Sequence, residues 1–239
     1  MTATSAKTPR QGRLTPARAR RESKPKKTQR TEEILQRLKE EYPDACCALD
    51  HRTPLQLLVA TILSAQCTDE MVNQVTAELF TEYASPQALA DAEPGEIERL
   101  VRRTGFFHQK TKSIQSASRD IVEKFGGKVP QDLEELVTLR GVARKTANVV
   151  LGTAFGVPGL AVDTHMKRVN RRLRLSSEDD PVKIERDLME LIRREEWTGY
   201  THRVIQHGRE CCDARRPRCE ACPLRSDCPY PGSARRRAG

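Results

Sequence analysis

The cysteines near one end of this chain restrict its fold more than any other feature. Eight cysteines occur in 239 residues, and five of them, Cys211, Cys212, Cys219, Cys222 and Cys228, fall within eighteen positions. No apolar h-region follows the basic first residues, so no secretory leader is expected. Outside an oxidising compartment, such clustering favours a metal over disulfides. Counted from Cys212 the spacing is C-x6-C-x2-C-x5-C, four thiolates closing short loops. A zinc ribbon offers two C-x2-C pairs and this chain has one, but donor chemistry alone leaves zinc and an iron–sulfur cluster both open. Cys46, Cys47 and Cys67 read as small apolar packing residues. Arg215, Arg216 and Arg218 lie between the first two candidate ligands. A metal that stiffens this loop would present them to phosphates; the plainer reading is a solvated charged loop.

The remaining pattern is helical. Ile34, Leu35 and Leu38 mark one helix over Thr31–Tyr42. Leu55, Leu58, Val59, Ile62 and Leu63 mark a buried one opened by Thr53-Pro54, and Val72, Val75 and Leu79 mark a third capped by Thr68 or Asp69. Residues 85–103 read as two short helices broken at Pro94-Gly95, and Lys112–Phe125 as another, ended by Gly126-Gly127. No alternating strand with hairpin turn signals is found, so the fold class is all-α. No apolar run approaches the eighteen or more residues of a membrane span.

The stretch from Leu139 to Asp163 carries the chemistry. A glycine turn, Leu139-Arg140-Gly141-Val142-Ala143, leads into a helix that opens with Arg144, Lys145 and Thr146. A helix start offers backbone N–H groups and a positive dipole end, which suit a phosphate. Like charges at Arg140 and Arg144 and the positive helix end both disfavour an ammonium and favour a nucleophilic amine at Lys145. Asp163 follows eighteen positions later and reads at the least as the N-cap of a helix from Thr164.

Together these residues resemble the endonuclease III family of DNA glycosylases. Leu139–Val150 resembles its helix-hairpin-helix, Val162-Asp163-Thr164-His165 its catalytic aspartate segment, and the spacing from Cys212 its [4Fe–4S] loop. Leu63-Ser64-Ala65-Gln66, Gly105-Phe106-Phe107 and His207-Gly208-Arg209 belong to the same match, which extends from about residue 30 to about residue 230. The resemblance implies a six-helix barrel domain over 47–157 and a cluster domain over 29–46 and 158–230, with the substrate pocket in a cleft between them. It implies Lys145 as Schiff-base nucleophile and Asp163 as its catalytic carboxylate. Cys212, Cys219, Cys222 and Cys228 are the implied cluster ligands, which leaves Cys211 outside the set. Gln66 would help fill the gap left by an extruded nucleotide, and an exposed Phe106 would wedge between bases. Gly141, Ala143 and Arg144 would meet DNA at the hairpin. His165 reads as a structural, hydrogen-bonding residue. The hairpin departs from the family's Leu-Pro-Gly-Val-Gly at Arg140 and Ala143. Alanine tolerates a positive φ poorly, so position 143 is expected either to be helical or to strain the turn.

The charge is lopsided. Residues 1–30 hold ten Lys or Arg against Glu22 alone, so the whole net charge of +9 lies there and the rest is neutral. Residues 1–28 read as a disordered basic tail suited to nucleic acid, and 231–239 as a second basic tail. The implied activity is removal of oxidised pyrimidines from double-stranded DNA, followed by β-elimination, by a bacterial cytoplasmic monomer close to the nucleoid that acts on lesions and abasic sites. Two alternatives stand beside it. One is a non-catalytic helix-hairpin-helix binding module, which has no need of both Lys145 and Asp163. The other is an adenine-mismatch glycosylase, which lacks the lysine and adds a further domain.

Overall fold

The computed structural model describes residues 14–230, and no strand occurs among them. In chain order the helices are α1 (Pro16–Arg20), α2 (Lys24–Glu41), α3 (Pro54–Leu63), α4 (Asp69–Glu82), α5 (Pro86–Asp91), α6 (Pro94–Val101), α7 (Phe107–Phe125), α8 (Leu133–Leu136), α9 (Arg144–Ala154), α10 (Thr164–Leu173), α11 (Pro181–Met189) and α12 (Trp197–Glu210). Two compact units result. One comprises residues 46–161 and 194–202, the other the described residues up to Ala45, 162–193 and from Arg203 onward. Residues 158–161 and 194–202 thus group with the hairpin, where the sequence reading assigned them to the cluster domain.

In the first unit α3 is the central helix. Leu55 and every residue from Leu57 to Leu63 are buried, because the helix is apolar all round and packs against α4, α7 and α9. Its start is set by Thr53, whose hydroxyl accepts the Gln56 N–H at 3.2 Å, with Pro54 in the first turn. Thr68, not Asp69, supplies the cap of α4, accepting from Met71 at 3.3 Å. The two short helices expected over residues 85–103 are α5 and α6, and Pro94 opens the second. α7 begins five residues before the expected Lys112, because Phe106 adopts a left-handed conformation that starts the helix at Phe107.

The second unit corrects the reading of the N-terminus. Residues 16–20 and 24–28 are helical, not tail. Pro25 presets the first turn of α2, and Ile34, Leu35 and Leu38 bury its inner face. Arg30, only 6% exposed, explains the early start. Its guanidinium pairs with Glu22 at 2.7 Å and donates to the carbonyls of Leu173 at 2.9 Å and Asp227 at 3.2 Å. The Leu14 N–H reaches the Ser226 carbonyl at 3.1 Å. A sequence scan sees ten cations near the N-terminus; among the described ones, the fold uses Arg30 as an internal tie. The part of the tail reading that falls on residues 1–13, and all of that for 231–239, lies outside the described residues.

Glu22→Gln should therefore destabilise the second unit. Removing one partner of a buried ion pair leaves the other charge uncompensated, which costs about 3 kcal/mol. Chemical denaturation should show this loss, whereas Lys24→Gln, whose exposed pair with Glu190 spans 2.8 Å, should change stability by less than about 1 kcal/mol.

Candidate functional site

The hairpin turn is closed by Leu139 N–H to Leu136 carbonyl at 3.1 Å and Val142 N–H to Leu139 carbonyl at 3.0 Å. Leu139 and Val142 are buried anchors. The positive φ falls on Gly141, at +83°. A Cβ there would sit 2.7 Å from the Ser113 Cβ on α7. Ala143 is neither helical nor strained: at φ −79°, ψ 164° it is extended, the usual conformation of an N-cap, and it opens α9 without difficulty. The family's second glycine is dispensable here because the left-handed position is Gly141. Gly141→Ala should cost about 3 kcal/mol, from the left-handed strain plus the overlap with Ser113. Adding Ser113→Gly should recover the overlap part only, a partial return visible in the unfolding midpoint.

Beyond the turn, the first N–H groups of α9 lack intrahelical partners by geometry. Arg140 and Lys145 are exposed there and Arg144 is half-buried, so the positive helix end carries three added cations. One turn on, the buried Asn148 amide donates to the Leu160 carbonyl at 3.3 Å. This ties to α9 the segment that ends three residues before Asp163.

Two more turns of the same unit carry predicted DNA contacts. Gln66 follows α3 at φ 55° and Phe106 precedes α7 at φ 47°; both are exposed, Phe106 by 67%. A non-glycine residue with positive φ is uncommon and costs on the order of 1 kcal/mol, and such strain concentrates at functional positions. Behind both turns lies Lys110, which the sequence reading missed. It is 5% exposed and its ammonium donates to the carbonyls of Leu63 at 2.8 Å and Thr104 at 2.7 Å. Burial pushes it below the usual lysine range.

In the second unit Asp163 caps α10, one carboxylate oxygen accepting the Met166 N–H at 2.8 Å. His165 approaches the Arg168 guanidinium at 3.1 Å, and burial pushes it below the usual histidine range. A Cβ on Gly208 would lie 2.8 Å from the His165 ring, so the glycine of His207-Gly208-Arg209 permits α10 and α12 to approach closely.

The same unit holds the cysteines. Cys211, Cys212, Cys219, Cys222 and Cys228 all line one pocket with Val169, Leu173 and Leu224. Arg172 donates to the Cys212 sulfur at 3.2 Å and to the Asp213 carbonyl at 2.7 Å. His207, Cys211 and Cys222 bring their donor atoms within 4.8 Å of one another. This grouping favours Cys211 where the spacing favours Cys212. The Cys212 sulfur accepts from the Arg172 guanidinium, and the Cys211 thiol faces the Arg218 carbonyl at 3.7 Å, just as the Cys228 thiol faces the Arg172 carbonyl at 3.7 Å, so these contacts leave the spacing as the ground for Cys212. Between Cys212 and Cys219, the Asp213 carboxylate accepts the N–H groups of Arg215 at 2.8 Å and Arg216 at 2.7 Å. These bonds hold Asp213 below the usual carboxylate range. Arg215 and Arg216 are exposed, while Arg218 also ties the loop by donating to the Glu210 carbonyl.

Residues 59–194, more than half of the chain, match the HhH-GPD superfamily of base excision DNA repair proteins. A curated endonuclease III of Synechocystis sp. is 57% identical over 85% of this chain and 93% of its own length. The chain belongs to the endonuclease III family. It is a DNA glycosylase with AP lyase activity in base excision repair. The endonuclease III of Escherichia coli is 38% identical over 83% of this chain and 94% of its own length. Among solved structures, a non-covalent endonuclease III–DNA complex is 43% identical, with a TM-score of 0.83 over 88% of this chain and 98% of its own. A thermostable thymine-DNA glycosylase, 22% identical with a TM-score of 0.77 over 84% of this chain and 96% of its own, shares the fold.

A second match, to the iron–sulfur binding domain of endonuclease III, covers residues 212–228. It begins at Cys212 and ends at Cys228, excluding Cys211. The cofactor is a [4Fe–4S] cluster. The pocket fits it: five thiols lie among apolar side chains, with a guanidinium on one sulfur. Zinc, left open by donor chemistry alone, is set aside, as is the non-catalytic binding module.

Proposed function

We propose that this enzyme removes oxidised pyrimidines from double-stranded DNA with Lys145 as the nucleophile. The observation that carries the reading is the exposed Lys145 in the first turn of α9, directly after the Gly141 turn. The target nucleotide leaves the stack, and the hairpin N–H groups and Arg144 hold the neighbouring phosphate. The Lys145 amine attacks the sugar C1′. The bond from C1′ to the base breaks, the base takes a proton as it leaves, and opening of the ring gives the iminium of a Schiff base. Loss of a C2′ proton then expels the 3′-phosphate, which nicks the strand. Asp163 accepts the proton that the attacking amine loses and stabilises positive charge on the sugar. Its role as the cap of α10 uses one carboxylate oxygen and leaves acceptor capacity on the other.

Cys212, Cys219, Cys222 and Cys228 hold the cluster, which cross-links the loop bearing Arg215, Arg216 and Arg218. These arginines meet backbone phosphates, and Gln66 and Phe106 fill the gap opened by extrusion. The enzyme acts as a monomer in the bacterial cytoplasm beside the nucleoid; the endonuclease III relatives named above are bacterial, and no described helix is long and apolar enough to cross a membrane.

A panel of duplexes tests the substrate class. Thymine glycol and dihydrouracil should be excised and the strand nicked. Release of adenine opposite guanine, without nicking, would transfer the chain to the adenine-mismatch reading.

A further inference from the structure

Lys110 occupies an odd position. It lies one turn after Phe107 and one before Ile114, on the apolar face of α7, where a lysine ammonium has little solvent. Its two carbonyl partners belong to different turns. Leu63 is the last residue of α3, three positions before Gln66, and its carbonyl is one of those a helix end leaves without an intrahelical partner. Thr104 ends the 3-10 turn two positions before Phe106. The helix dipole of α3 places partial negative charge where the ammonium sits. One cation thus holds both turns that end in an exposed, left-handed, non-glycine residue.

We propose that Lys110 is a positioning residue that locks Gln66 and Phe106 together in their strained conformations, so that the two act as one preformed wedge during nucleotide extrusion. This rests on the reading of Gln66 and Phe106 as gap-filling residues given above. The physical reason for such a strut is that a strained backbone persists only where its surroundings over-determine it. Two hydrogen bonds from a charged donor do so at both turns at once, and they order the wedge before DNA arrives, so less order has to be gained on binding. Lys110 touches no reacting atom in this account; it acts through the turns.

The test compares two substrates under single-turnover conditions with the cluster-loaded enzyme. In one, thymine glycol is paired within a duplex and must be extruded; in the other, a preformed abasic site needs no base pair broken. Lys110→Met should slow excision of the paired lesion by about tenfold, the order expected for losing charged hydrogen bonds, while strand nicking at the abasic site stays within about twofold. Lys110→Arg, which keeps the charge and the donors, should recover most of the paired-lesion rate. Gln66→Ala with Phe106→Ala should slow excision of the paired lesion at least as much, and adding Lys110→Met to that pair should slow that excision no further, because residues acting as one unit are not additive. Should Lys110→Met not fold, Lys110→Gln carries the same comparison.

Equal losses on both substrates, or a full additional loss in the triple variant, would overturn the proposal. If Gln66→Ala with Phe106→Ala leaves both rates unchanged, the wedge reading itself fails. If that pair slows excision of the paired lesion and Lys110→Met does not, the wedge stands and the strut falls.

Discussion

Lys145→Gln should abolish turnover while leaving the protein folded and bound to DNA. The side chain is exposed on the first turn of α9, so its replacement leaves no cavity and no buried partner unpaired. Loss of the covalent nucleophile should lower single-turnover excision and nicking together, on the order of 10⁴-fold or more. Affinity for a duplex should fall only modestly, because the hairpin N–H groups and Arg144 that hold the phosphate remain. Asp163→Asn is the informative companion. Asparagine is as good an N-cap as aspartate, so the bond to the Met166 N–H survives and α10 keeps its start. A fall in turnover on the order of 10²-fold, with an unchanged unfolding midpoint, would separate the proton-accepting role from the capping role. Excision at the parental rate would make Asp163 a cap and nothing more.

The second large effect lies at the cluster. Cys212→Ser should yield colourless protein that fails to fold around its last helix, because four thiolates close a loop with little core of its own and metal binding is coupled to folding. The loop spans residues 212–228, and Leu224 is its buried apolar anchor. Cys211→Ser should stay yellow-brown and active. That sulfur is buried, so a hydroxyl in its place costs about 1–2 kcal/mol, well short of losing a ligand. Visible absorbance of the purified variants reads both outcomes. Bleaching by Cys211→Ser with full colour in Cys212→Ser would move the first ligand back one residue and return His207, Cys211 and Cys222 as the metal-binding group.

The parts of this account legible in the sequence are those written in short spacings. The faces of α3 and α4, the cap at Thr53, the turn at Gly141 and the cysteine register from Cys212 each depend on residues within one or two helical turns. What escaped depends on partners far along the chain. The early start of α2 follows from Arg30 meeting Glu22, Leu173 and Asp227, and no local pattern announces a carbonyl 143 residues away. The turn demands glycine at 141 and not at 143, because the overlap comes from Ser113 on another helix. Lys110 did leave a trace: a lysine on the apolar stripe of α7, between Phe107 and Ile114, is out of place for a solvated side chain. Its partners, Leu63 and Thr104, are backbone groups, invisible to any scan of side-chain types.

The central claim is that Lys145 forms the bond to the sugar. Borohydride reduction during turnover on a thymine glycol duplex should trap a protein–DNA adduct, and proteolysis with mass spectrometry should place the DNA on the peptide containing Lys145. No adduct, or an adduct at another lysine or at the N-terminal amine, would contradict it.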